Sequence, residues 1–131
     1  MLARVFESLS DNMSLEMFRS IARQSIDSAI LRNQVKITRK QYYSRLSKMM
    51  KIGLIKRNNG KLVLTAFGKI VFKVQQNVEK ASSDQWKLKA IDSIELSDEL
   101  PKEERSQLIE TLLDNKQLRE ILLSFQDTKK L

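Results

Sequence analysis

Between Ile37 and Thr65 stand eight lysines and arginines (Arg39, Lys40, Arg45, Lys48, Lys51, Lys56, Arg57 and Lys61) and no aspartate or glutamate. A helix that only faces water ordinarily mixes the two signs, because opposite charges one turn apart support each other. A run of one sign asks for its counter-charge from outside the chain. Guanidinium and ammonium groups interleaved with Gln41, Tyr43, Ser44 and Ser47 can hold phosphates and hydrogen-bond to base edges. The chemistry expected of them is recognition of a polyanion rather than the making or breaking of bonds.

The rest of the composition points the same way. There is no cysteine, so disulfides and thiolate metal sites are excluded, and no histidine, which removes the commonest general base and metal ligand. No nucleophile–base pair or phosphate loop is visible, so an enzyme is not expected. Nor is a cofactor. Met49 and Met50 fit a core better than a metal or cofactor site. Asp98-Glu99 and Glu103-Glu104 lack the loop glycine and alternating ligands of a calcium site and read as solvated helix starts. Residues 1–81 hold 16 Lys+Arg against 5 Asp+Glu, and residues 82–131 hold 8 against 11. The formal charge of +8 therefore combines a basic body with a mildly acidic tail. Apolar runs are far shorter than the roughly 20 residues of a membrane span. Met1–Glu7 turns polar too soon for a signal peptide, so a cytoplasmic protein with no membrane partner is expected.

The elements that must position the basic run can be read from spacing. Leu2, Val5, Phe6 and Leu9 predict a short helix ending near Asp11-Asn12. Ser14 is a candidate cap for a second helix with Leu15, Phe18, Ile21 and Ala22 inward. A third is expected over Ser25–Arg32 with Ile26, Ala29 and Ile30 inward, followed by a connection over residues 33–37. Thr38 then caps the helix at the head of the basic run. On it Tyr42, Leu46, Met49 and Met50 form one stripe, and Gly53 ends it. Arg45 borders the core face and is expected to pair with an acidic residue such as Glu16 or Asp27.

Leu54–Arg57 and Lys61–Leu64 flank Asn58-Asn59-Gly60, residues that tolerate the positive φ of tight turns, and predict a two-stranded hairpin. Thr65 caps a long helix on which Phe67, Val71, Val74, Val78 and Ala81 are spaced 4, 3, 4, 3. That alternation suits either a seam between two copies or packing within one domain. Ser82-Ser83-Asp84 is expected to end or kink it. In the tail Trp86, Ala90, Ile91 and Ile94 share a stripe, and Pro101 opens a helix with Leu108, Ile109, Leu112 and Leu113 inward. After Asp114-Asn115 the pattern resumes through Leu118, Ile121, Leu122 and Phe125. The chain thus divides on composition into residues 1–81 and a helical extension over 82–131. The extension can dimerise, cover the core, or recruit a partner.

Helix, helix, connection, helix and basic hairpin, in that order, resemble a winged helix-turn-helix. Ile37–Leu46 with Met49 and then Gly53-Leu54-Ile55 is similar to the recognition helix of winged-helix transcription regulators. Leu64-Thr65-Ala66-Phe67-Gly68-Lys69 resembles the "LT-x-x-G" that follows the wing in many archaeal members and in the MarR-like and ArsR-like groups. The match covers residues 12–75; residues 82–131 match nothing. The resemblance implies a mainly α fold with a β-hairpin wing and a helix laid in the major groove of double-stranded DNA.

On that reading Thr38, Arg39, Lys40, Gln41, Tyr43, Ser44 and Ser47 lie in or beside the groove, and Lys48 and Lys51 touch backbone. Arg39 suits guanine, Gln41 adenine, and Tyr43 a thymine methyl or a phosphate. Arg57, Asn58, Asn59 and Lys61 match the wing and would reach flanking backbone or minor groove. Lys56 and Lys61 also suit solubilising charges on a hairpin edge. Tyr42, on the stripe, belongs to the core. A sequence-specific regulator acting as a homodimer is expected. A protein-interaction module built on the same fold and an RNA or nonspecific chromatin binder are the alternatives. No residue announces a small-molecule effector.

Overall fold

The protein is described from a computed structural model, which covers residues 1–95 and 100–128, with only the backbone of 126–128. Asp98-Glu99 lies outside the described residues. The chain forms two compact units, Met1–Val74 and Gln75–Leu131.

The first unit begins with α1 (Leu2–Ser8) and α2 (Asn12–Arg23). The cap of α2 is Asp11, not Ser14: its carboxylate accepts from the Ser14 backbone N–H at 2.8 Å and from the Ser14 hydroxyl at 2.9 Å. Aspartate outcompetes serine there because its two oxygens take both donors at once. Ser14 is buried inside the first turn, and Met17, Phe18 and Ile21 form the inner face.

The helix expected over Ser25–Arg32 is instead β1 (Ile26–Asp27) followed by α3 (Ser28–Gln34), which Asp27 caps. Ile30 and Ala29 are exposed, and Leu31 and Val35, one turn apart, do the packing. Helix α4 (Arg39–Lys51) starts at Thr38 and ends where Gly53 takes φ +88°.

β2 (Ile55–Asn58) and β3 (Lys61–Leu64) pair around Asn59 and Gly60, whose φ values of 53° and 79° suit a two-residue hairpin turn. β1 pairs with β3 on its other side, Ile26 opposite Leu62, so the sheet has three antiparallel strands in the order β1-β3-β2 rather than two. The added strand covers an edge that the hairpin alone would leave open. Helices α2, α3 and α4, the hairpin and this short strand make a winged helix fold. Its core gathers Phe18, Ile21, Leu31, Tyr42, Leu46, Met49, Leu54 and Leu62.

Helix α5 (Ala66–Ser83) follows, and the division between the units falls within it. Its start is fixed on the end of α4. The Thr65 hydroxyl accepts from the Gly68 N–H at 2.9 Å and is hydrogen-bonded to the Gly53 carbonyl, while the Thr65 N–H donates to the Leu54 carbonyl at 3.0 Å. Gly68 is buried here. A Cβ on it would stand 2.0 Å from the Leu54 carbonyl oxygen, so the glycine of "LT-x-x-G" is what lets α5 lie against the chain entering β2.

The second unit holds α6 (Gln85–Glu95), α7 (Lys102–Leu112) and α8 (Lys116–Thr128) around Ile91, Ile109, Leu113 and Leu118. Pro101 opens α7, and Asp114-Asn115 separates α7 from α8. Ile121 and Phe125, expected to continue the buried face, are exposed, and so is Trp86. Lys80 lies 3.4 Å from both Asp84 and Asp114. Asp114 first, then Asp84, holds the Lys80 ammonium above its usual range.

Candidate nucleic-acid interface

Helix α4 divides around its circumference by what each side chain touches. Tyr42, Leu46 and Met49 are 0, 1 and 0% exposed and fix the inner side to the core. The Tyr42 ring is core, and its hydroxyl donates to the Ser28 carbonyl at 3.0 Å and lies 2.8 Å from the Ser28 hydroxyl. This ties α4 to the first turn of α3. Burial pushes the Tyr42 phenol up, against the lowering effect of that hydrogen bond.

At 3.6 residues per turn, Lys40, Ser44, Ser47 and Lys51 fall opposite that inner side. Arg39 and Tyr43 flank them on one edge, Gln41 and Lys48 on the other. All eight are exposed, and none is acidic. Arg39 stands over the Tyr43 ring, 5.7 Å from its centre, and Tyr43 packs edge-on against Tyr42 with centroids 5.0 Å apart. The Arg39 guanidinium is thus placed by an aromatic chain anchored in the core.

Thr38 and Gln41 form a capping box. The Thr38 hydroxyl accepts from the Gln41 N–H at 3.2 Å, and the Gln41 Oε1 accepts from the Thr38 N–H at 3.1 Å. Gln41 therefore reaches back to the helix start, a role the spacing alone did not suggest although the Thr-x-x-Gln pattern permits it. Arg57, Asn58, Asn59 and Lys61 are exposed on the hairpin.

Arg45 does not meet Glu16 or Asp27. Its Nε lies 3.1 Å from the Asp11 carboxylate, and its guanidinium also donates to the Gln41 carbonyl at 3.3 Å. One carboxylate thus caps α2 and grips α4. Burial opposes the charged form of Asp11, but the Ser14 and Arg45 hydrogen bonds outweigh it and hold the carboxyl below its usual range.

A residue that the pattern missed is Arg4. Helix α1 packs on α4, and a concavity of about 260 Å³ between them is lined by Arg4, Glu7, Ser8, Lys48, Lys51 and Ile52. No local signal could find it, because Arg4 is 44 positions from Lys48 in the chain. Among the described residues no cluster of acidic side chains could hold a metal ion, and no helix is long and apolar enough to cross a membrane.

No family model matches this chain, and no curated protein matches it. Among solved structures, an ArsR-like transcriptional regulator from Rhodococcus sp. RHA1 is similar at 18% identity and a TM-score of 0.48, covering 76% of this chain and 94% of that one. A likeness that distant leaves function to be read from this chain's own residues.

Proposed function

We propose that the protein is a transcription regulator, resembling archaeal winged-helix regulators, that binds double-stranded DNA with α4 in the major groove and the β2–β3 hairpin on flanking backbone or minor groove. The observation that carries this reading is the outer side of α4. Lys40, Ser44, Ser47, Lys48 and Lys51 stand exposed without an acidic neighbour on the helix, while Tyr42, Leu46 and Met49 hold its other side rigidly in the core. Protein-binding surfaces are depleted of lysine, whereas phosphate-binding surfaces are built from it.

Within this reading Arg39 is placed for guanine and Tyr43 for a thymine methyl or a phosphate. Lys48 and Lys51 bind backbone, and Arg57, Asn58, Asn59 and Lys61 reach flanking backbone or minor groove. Thr38 keeps its hydroxyl proton for a phosphate while its oxygen caps the helix. Gln41 reads adenine only by releasing its bond to the Thr38 N–H.

The regulator acts as a homodimer, which sets two copies of α4 on half-sites about one helical turn apart. Support comes from α5, where Phe67, Ile70 and Val74 are 38, 65 and 51% exposed along one stripe, while Val71 of the expected 4-3-4-3 spacing packs on the core. The lysines of α5, Lys69, Lys73 and Lys80, lie off that stripe, so two basic chains can approach through it without facing like charges. The same stripe favours a second reading, a protein-interaction module. The double variant Arg39→Glu, Lys40→Glu separates the two. Acidic residues suit the first turn of a helix, so folding is retained. Loss of duplex binding is expected on the first reading; a wild type that binds no duplex, with a variant that keeps its protein partner, would speak for the second.

A further inference from the structure

We propose that Arg4, Lys48 and Lys51 form a phosphate-binding pocket that extends the DNA-contacting surface from α4 onto α1; the proposal rests on the reading of α4 given above. Three cations from two helices line one concavity with a single carboxylate, Glu7. Among the described residues none of these four groups forms an ion pair. The concavity therefore carries a formal charge of about +2 at the surface: Arg4, Lys48, Lys51 and Glu7 are all exposed, beside a half-buried Ile52, so an anion would meet them in water, where the pull is salt-dependent.

Position argues for the occupant. Lys48 and Lys51 alone have a sufficient local reason to exist, since cations in the last turn of a helix offset its partial negative charge. Arg4 has only Glu7, three positions on along α1, for a local counter-charge, and the two form no ion pair. Arg4 comes from a different helix and lies beside the edge of α4 that carries Gln41 and Lys48, away from the edge that carries Arg39 and Tyr43. A duplex lying along α4 would present backbone phosphates beyond both edges of the groove, and Arg4 with Lys48 is placed for one of them. An arginine and two lysines around a recess suit a phosphodiester, whose single charge is shared by two non-bridging oxygens that a planar fork can take together.

The test uses the full chain and a fluorescein-labelled random-sequence duplex of roughly 30 base pairs, titrated by anisotropy across about 50 to 200 mM salt, where binding is set by phosphate contacts. Arg4→Gln is expected to make the log–log slope shallower by about 0.9 per subunit. Glu7→Gln, which removes the one carboxylate among the described residues lining the concavity, is expected to tighten binding. Arg23→Gln, an exposed arginine on α2 that does not line the pocket, is expected to leave the slope unchanged. A wild-type slope in Arg4→Gln, or weaker binding by Glu7→Gln, overturns the pocket while leaving α4 as the groove helix. No duplex binding by the wild-type chain overturns both.

Discussion

Asp11 and Arg45 meet across 34 positions of sequence, with the guanidinium Nε 3.1 Å from a carboxylate oxygen that also caps α2. Helices α2 and α4 therefore share one charge. Asp11 is held below its ordinary value of about 3.9. A carboxyl depressed in the folded state contributes stability that is fully present above its unfolded value and is lost as pH falls through the folded one. Asp11→Asn keeps a competent cap but removes the charge. Thermal melts should show wild type more stable than the variant near neutral pH, with the gap closing below about pH 4.

Gln41 offers a way to separate stability from binding. Its carbonyl oxygen serves the capping box, and glutamate serves that role as well or better at a helix start. Gln41→Glu should melt at or slightly above the wild-type temperature. The same carboxylate would face phosphates and base edges, so duplex affinity should fall by roughly tenfold or more. Unchanged affinity would place Gln41 outside the interface.

Gly68 and Gly60 test two different needs for glycine. A Cβ at Gly68 meets the Leu54 carbonyl oxygen at 2.0 Å, whereas one at Gly60 meets nothing within 4 Å. Gly60→Ala should cost about 1 kcal/mol, the strain of an alanine at positive φ. Gly68→Ala has to shift α5 away from backbone and should cost about 3 kcal/mol, read by denaturant unfolding. Equal costs would contradict the close approach.

The stripe on α5 predicts the basis of self-association. Ile70 and Val74 are exposed, so Ile70→Glu with Val74→Glu should leave the fold of one chain intact. Sedimentation should then report a monomer for the variant and a dimer for the wild type. The log–log salt slope of the variant should drop to about half.

Much of the fold was legible because its signals are local. The Asn-Gly turn, the glycine after α4, the Thr38 cap and the Tyr42–Leu46–Met49 stripe each depend on residues a few positions apart, and each stands where spacing put it. Misses came where distant partners decided. Ile26, Ala29 and Ile30 carry helical spacing, yet Ile26 is drawn into a strand by pairing with Leu62. Asp11 rather than Ser14 caps α2, and Arg45 chose a carboxylate 34 positions away over nearer candidates. Of the candidate interface, what spacing gave is exposure: every residue named for it on α4 and the hairpin is on the surface. The capping duty of Gln41 and the approach of Arg4 to Lys48 were not legible, because both are set by three-dimensional placement.

The central claim, that the bare cationic side of α4 exists to meet a duplex, is tested most directly by titrating the wild-type chain against double-stranded DNA across salt. A dimer whose subunits each neutralise roughly three to five phosphates should give a log–log slope of about −5 to −9. Failure to bind any duplex at low salt, or binding indifferent to salt, would contradict it.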